Sequence, residues 1–234
     1  MRSVAICGDC LAAMKGMADN SFDLALVDGA YGRGEHGGKS RSKLVLQKNG
    51  TRLYVGDAGY ERKSWDTTPA TKEYFDEIIR VSRHQIIWGC NYYPIAFGTG
   101  RVIWDKCNDG SDQSDCEIAY NSMTDRVDVF RFMWRGMMQG KSISEGTIQQ
   151  GNKSLNEKRI HPCQKPVALY TWLLQKYASP GWKILDPFLG SGSSRIAAYD
   201  LGFDFVGYEI DKDYYDAQEE RFLEHTSQMS MFVG

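Results

Sequence analysis

Hydrophobic positions along the chain follow two periods in alternation. Short apolar runs rich in β-branched and aromatic residues read as strands: Ser3 to Cys7, Phe22 to Val27, Gln85 to Trp88, Arg101 to Trp104, Ile184-Leu185 and Phe203 to Glu209. Between them apolar residues recur at helical spacing. Leu11 to Met17 gives a short helix. Thr68 to Val81 gives a longer one, opening on Thr68-Pro69 and carrying the stripe Tyr74, Phe75, Ile78, Ile79 and Val81. Further helices are predicted around Tyr92 to Phe97, over Val167 to Tyr177, over Arg195 to Leu201 and over Asp213 to His225. Cys116 to Tyr120 and Val127 to Trp134 read as a strand pair around the turn Met123 to Arg126. In the second, Val127, Val129 and Arg131 alternate with Asp128, Phe130 and Phe132. Strands alternating with helices predict an α/β fold, a mostly parallel sheet with helices on both faces. Residues 33–63 and Gly136 to Glu157 lack a period and read as loops, the first expected to be mobile.

Composition narrows this only a little. The 234 residues, 42% hydrophobic, suit one domain over 1–234 with a sizeable core. No apolar run reaches the length of a membrane span, and Met1 to Cys7 turns into a strand too soon to be a secretion signal. Six scattered cysteines are then expected as reduced thiols in a cytoplasm. Cys7 and Cys10 have the spacing of a redox or metal pair, but no second pair with ligand spacing accompanies them and no metal is expected.

The net charge of −2 hides a polar distribution. Arg33, Lys39, Arg41, Lys43, Lys48, Arg52, Arg62 and Lys63 crowd one segment; Arg126, Arg131, Arg135, Lys141, Lys153, Lys158 and Arg159 crowd another. Acids gather in the last helix. Such polarity suits a protein that turns one face to phosphates, although solvated loops give the same pattern.

The most informative stretch runs from Lys183 to Arg195. A buried strand ends at Asp186-Pro187, a glycine- and serine-rich turn follows, and a helix begins. Gly190 and Gly192 let a ligand approach the backbone. The next strand ends in Glu209, whose carboxylate can accept from both hydroxyls of a ribose. A nucleoside-bearing cofactor at the C-terminal edge of a parallel sheet is the direct reading.

His161-Pro-Cys-Gln-Lys-Pro166, Asp186-Pro-Phe-Leu-Gly-Ser-Gly192 and Gly207-Tyr-Glu-Ile-Asp211, in this order, strongly resemble the amino-directed DNA methyltransferases, which methylate adenine N6 or cytosine N4 from S-adenosylmethionine. The resemblance reaches from Ser3 to the last helix, outside the two basic loops. Asp28 to Tyr31 precedes Asp186 to Gly192, an order that resembles the permuted β class. It implies a class I, Rossmann-like methyltransferase fold with an inserted target-recognition segment at 107–159. It also implies that Asp186, Phe188, Gly190, Ser191 and Gly192 flank the methionine part of the cofactor. Glu209 would bind its ribose, Asp9 and Cys10 its adenine. His161, Gln164 and Lys165 would line the pocket, with Lys165 near the cofactor's carboxylate.

The resemblance assigns catalysis to Asp28, Gly29, Ala30 and Tyr31. An exocyclic amine is a poor nucleophile because its lone pair is conjugated. The Asp28 carboxylate and the carbonyl beside it can accept its two N–H bonds and favour a pyramidal nitrogen. Tyr31 would stack on a base flipped from double-stranded DNA. Asp in first place resembles adenine-N6 enzymes more than cytosine-N4 ones. The family's usual Asp-Pro-Pro-Tyr is here Asp28-Gly29-Ala30-Tyr31, so the stiffness of two prolines is missing. Three readings stay open: an enzyme supported by neighbouring residues, a weakened or silent cofactor- and DNA-binding relative or deliberately altered copy, or an enzyme for an unusual acceptor. The resemblance also leaves open a restriction–modification or an orphan role, and homodimerisation is common in the group.

Among other residues, His36 reads as a solvated loop histidine. Tyr54, Tyr60 and Trp65 lie among basic residues and suit either base contact or loop packing. Trp88, Trp104 and Trp134 read as core, and Asn91-Tyr92-Tyr93 sits at a strand tip within reach of a flipped base. Gln228 to Phe232 resembles the short peptide with which bacterial replication proteins dock on the sliding clamp.

Overall fold

A computed structural model describes residues 2–32, 43–46, 50–55, 63, 67–109, 114–135 and 137–231. The strands are β1 (Ser3–Cys7), β2 (Phe22–Val27), β3 (Lys43–Leu46), β4 (Arg52–Val55), β5 (Ser82–Trp88), β6 (Arg101–Asp105), β7 (Cys116–Asn121), β8 (Val127–Arg131), β9 (Trp134–Arg135), β10 (Met138–Gln139), β11 (Lys183–Asp186) and β12 (Asp204–Glu209). The helices are α1 (Cys10–Lys15), α2 (Lys72–Val81), α3 (Val167–Tyr177), α4 (Ser193–Asp200) and α5 (Lys212–Met231).

Eight strands form one sheet in the order β1-β12-β11-β2-β5-β7-β6-β8. All pairs are parallel except β5 with β7 and β6 with β7. Alternating residues of β2 show why both faces are covered. Leu24 and Leu26 join a core under α3 and α4, while Ala25 and Val27 join a second core with Met14 of α1 and Phe75 and Ile78 of α2. Arg195 of α4, itself buried, holds α5 through Glu219 at 2.7 Å and lies over the Phe222 ring.

The chain leaves β11 toward β12 on one side and leaves β2 toward β5 on the other. The crevice between the C-terminal ends of β11 and β2 is therefore a topological switch point, where open α/β sheets bind ligands.

Several expectations are corrected. β7 and β8 do not pair; β6 lies between them, antiparallel to β7 and parallel to β8. The turn after β7 crosses the start of β6, where a Cβ on Gly100 would come within 2.0 Å of the Thr124 carbonyl. Only glycine permits that crossing. Phe130 in β8 and Phe132 just after it are buried, with Val127 58% exposed at this sheet edge. Thr68-Pro69 does not begin a helix: Pro69 bridges Tyr31, and α2 starts after Thr71. Residues Tyr92 to Phe97 form turns rather than a helix.

The basic stretch 33–63, expected as a loop, contains the antiparallel pair β3–β4; Arg33, Lys39, His36, Arg41, Lys48, Tyr60 and Arg62, and Trp65 beyond it, lie outside the described residues. Gly136 to Glu157 holds β10 and a 3-10 turn at Lys153–Leu155. The clamp-like peptide is not a free tail up to Met231, because α5 continues through it; Phe232 lies outside the described residues. Among the described residues no helix is long and apolar enough to cross a membrane.

Candidate active site

A cavity of about 560 Å³ opens over the strand tips at the switch point. Of the candidate catalytic and cofactor-binding residues, all line it except Asp186 and Gly192. Those two stand behind the wall. Asp186 accepts hydrogen bonds from the Phe188 amide at 3.0 Å and from the Ser194 hydroxyl. Gly192 turns the chain into α4 in a left-handed conformation, φ 72°, that leaves room for Gln218.

The β12 and β1 tips form one end of the cavity. Glu209 accepts from the Gly190 amide at 2.7 Å through one oxygen and from the Asp211 amide at 2.8 Å through the other. Each oxygen keeps a second lone pair. Asp9 caps α1 by accepting from Leu11, and also accepts from the Tyr74 hydroxyl at 3.2 Å. Burial, helped by Asp9, pushes the Cys10 thiol up to about 12, so it remains a neutral wall group. Phe188 packs near Tyr74, with ring centres 5.7 Å apart. The His161 ring meets Tyr214 edge-on, and its Nδ1 accepts from the Cys163 amide at 3.2 Å. Burial and then Lys165 depress its pKa to about 3, so it is neutral. Gln164 braces its own loop, bonding Ile160 and Lys158 through its amide group.

The β2 tip forms the middle. Asp28 Oδ1 receives the Tyr31 hydroxyl at 2.6 Å and the Lys165 ammonium at 2.6 Å. Its Oδ2 has no donor among the described residues. Lys165 reaches on to Glu117 of β7 at 2.9 Å, and Lys106, just after β6, holds the other oxygen of Glu117 at 2.5 Å. Burial raises the Asp28 pKa against the pull of Lys165. Burial also opposes ionisation of Glu117, but Lys165 and Lys106 outweigh it and hold its pKa at about 2. Burial disfavours the Lys165 charge; Asp28 and Glu117 outweigh it and raise its pKa.

Tyr31 stacks on Tyr92 at 5.1 Å. Gly89 makes room for it: φ is 67°, and a Cβ there would lie 2.2 Å from the Tyr31 ring. Tyr93 donates its hydroxyl to the Gly29 carbonyl at 3.1 Å.

A family model described as DNA methylase, for the N6/N4 enzymes, matches residues 103–220, from β6 into α5. This chain belongs to the N6/N4 DNA methylase family. The type II methyltransferase M.HpaI of Haemophilus parainfluenzae is 24% identical over 231 residues, covering 92% of this methylase and 73% of the relative. Among solved structures, the M1.HpyAVI–SAM complex superposes with a TM-score of 0.54 at 16% identity, covering 94% of this chain and all of that one. The PvuII cytosine-N4-specific DNA methyltransferase superposes with a TM-score of 0.51 at 11% identity, over 97% and 92% of the two chains. These structural likenesses establish the fold, a class I methyltransferase α/β sheet.

In this methylase the residues missed by sequence reasoning are Glu117, Lys106, Tyr74 and Tyr170, all in the cavity wall. Glu117 sits in a strand of ordinary composition, and only the β6–β7 register brings it opposite Trp104, beside Lys165. Tyr92 and Tyr93, singled out at their strand tip, do reach the site. Trp88 is core, whereas Trp104 and Trp134 are core residues that also face the cavity.

Burial, partly offset by the Ser194 hydrogen bond, raises the Asp186 pKa to about 7. A carboxyl whose folded pKa lies above its unfolded value contributes stability below pH 4 that is lost as pH rises through 7. Asn at this position cannot ionise. From pH 5 to pH 8.5 the stability of Asp186→Asn is expected to gain ~2–3 kcal/mol on the parent. Urea unfolding at both pH values checks this, and a difference independent of pH would contradict it.

Proposed function

We propose that this chain methylates adenine N6 in double-stranded DNA, acting on a base turned out of the helix. At the coarser level it is an N6/N4 DNA methyltransferase, and its cofactor is S-adenosylmethionine. The residues present fit that cofactor. The Glu209 oxygens keep lone pairs for two hydroxyls. A Cβ on Gly8 would meet nothing within 4 Å, so the wall beside Asp9 and Cys10 is open. Phe188 and Tyr74 offer aromatic surface. Glu209 would hold the ribose, Asp9 and Cys10 the adenine, and the turn from Phe188 to Ser191 the methionine part. When bound, S-adenosylmethionine supplies an electrophilic methyl group on a sulfonium.

The observation that carries the reading is the state of Asp28. One oxygen is fixed by Tyr31 and Lys165, and the other is left for an incoming N–H. The Gly29 carbonyl beside it can accept the second N–H. Both acceptors draw the amino protons aside and favour a nitrogen lone pair pointing out of the base plane. The preference for adenine rests on the aspartate in first position. For the DNA, we assign target reading to residues 107–159. Arg135, Lys153 and Lys158 support this: they are exposed and have no acidic partner among the described residues, whereas Arg126, Arg131 and Lys141 each have one.

The test is radiolabel transfer from S-adenosylmethionine to DNAs of varied sequence, followed by digestion to nucleosides. Labelled N6-methyladenine is the expected product. N4-methylcytosine would overturn the base assignment, and no transfer to any DNA would overturn the activity.

A further inference from the structure

The family's two prolines act by stiffening the backbone from within, and this chain has Gly29 and Ala30 instead. The peptide is nevertheless pinned from outside. The Tyr93 hydroxyl occupies one lone pair of the Gly29 carbonyl at 3.1 Å. The Ala70 amide donates to the Ala30 carbonyl at 3.1 Å, and Tyr31 bridges Pro69. The Phe188 ring closes over Gly29, where a Cβ would stand 3.1 Å from the ring and 3.3 Å from the Tyr93 hydroxyl.

Tyr93 is itself well held. It is 5% exposed and packs on Phe75, with ring centres 4.5 Å apart. Tyr93 thus links Phe75 of α2 to the Gly29 carbonyl at the β2 tip.

Resting on the methyltransferase reading above, we infer that Tyr93 is a positioning residue: its hydroxyl fixes the direction of the Gly29 carbonyl and so replaces the missing proline stiffness. A carbonyl oxygen has two acceptor directions. With Tyr93 on one, the other is set relative to Asp28 Oδ2, and the two acceptors for the amino group keep a constant separation. Without the hydroxyl, the Gly29 peptide can rotate, since glycine restrains it least. Substrate still binds, but the nitrogen is misaimed. The aim is therefore expressed in kcat and not in KM.

The experiment uses the full chain in two arms. In the first, protein labelled with [1-13C]glycine is compared with its Tyr93→Phe variant by NMR, the Gly29 carbonyl being assigned through Gly29→Ala. An upfield move of the Gly29 carbonyl on losing the hydroxyl is expected, and an unmoved resonance overturns the inference. This arm needs no turnover.

In the second arm, Tyr93→Phe is expected to lower kcat by about tenfold, with KM for DNA and for S-adenosylmethionine within about twofold. Restoring proline in the Tyr93→Phe background, as Gly29→Pro or as Ala30→Pro, should return kcat to within about threefold of the parent. The Tyr93 hydroxyl, 3.3 Å from a Cβ at 29, is then gone, and Ala30→Pro avoids the Phe188 ring that stays 3.1 Å from that Cβ. A parental kcat in Tyr93→Phe, a change confined to KM, or no recovery with either proline overturns it. If the unmodified chain neither binds S-adenosylmethionine nor transfers methyl, the functional reading falls and takes the inference with it. If it transfers and Tyr93→Phe transfers equally, the inference alone falls.

Discussion

Asp28→Asn is expected to lower methyl transfer by about 10²–10³-fold while S-adenosylmethionine binding stays within a few-fold. The asymmetry of the carboxylate is the reason. Tyr31 and Lys165 both donate to Oδ1, so an asparagine must turn its carbonyl oxygen toward them. Its NH₂ then takes the place of Oδ2 and presents a donor where an acceptor is needed. An N–H facing an N–H repels, and the target nitrogen loses both an acceptor and its orientation. The cofactor end of the cavity, at Glu209 and Asp9, does not contact Asp28 and should bind as before. Single-turnover transfer beside a binding titration tests this. Transfer within tenfold of the parent would remove Asp28 from the reaction.

Lys165→Met should destabilise the chain more than any other single change near the cavity. The Lys165 side chain is 3% exposed and its ammonium sits between two carboxylates. Glu117 keeps Lys106, but Asp28 is left as a half-buried charge with only the Tyr31 hydroxyl. Removing one partner of a buried ion pair costs about 3–5 kcal/mol, a fall in Tm of roughly 6–20 °C for a chain of this size. Asp28 already titrates above its ordinary value through burial, and without Lys165 it rises further. A carboxyl raised in the folded state loses its contribution as pH rises. The Tm deficit of Lys165→Met is therefore expected to be smaller at pH 5 than at pH 8. Activity should fall with it, because a protonated Asp28 offers a donor in place of an acceptor. Melting curves at both pH values check the sign, and an equal or larger deficit at pH 5 would show that Asp28 does not carry the effect.

The parallel half of the sheet was legible because β2, β11 and β12 carry buried apolar residues and α2 and α3 each bury an apolar side, although β1 at the edge is not buried. β1, β2 and α3 fall on the predicted bounds, and β11 and β12 lie within a residue or two. The antiparallel edge was harder. Pairing β7 with β8 satisfies local turn chemistry; what defeats it is the lack of a Cβ at Gly100, a close approach that leaves no periodic signal. Pro69 misled for a related reason: a proline before a helical stripe suits a first turn, yet its bridge to Tyr31 is a tertiary contact.

The site divided in the same way. Residues at parallel strand tips, such as Asp9, Asp28 and Glu209, are brought together by topology and could be found from their positions. Lys165 was placed in the cavity from its motif, but its meeting with Asp28 and Glu117 depends on strands distant in sequence. Glu117 within β7 and Lys106 just past the end of β6 gave no cue until the register of β6 on β7 was known.

Where Asp28 is followed by two prolines, its geometry is a property of four adjacent codons. Here the same backbone is tied down by Tyr93, Ala70, Pro69 and Phe188, drawn from three separate stretches of the gene. The mutational target for losing activity is correspondingly wider, and drift at any of these positions is felt at the acceptor. A survey for silent members of this family that looked only for Pro-Pro would judge this chain without weighing these contacts, and would overlook a chain with intact prolines whose equivalents of these contacts had decayed.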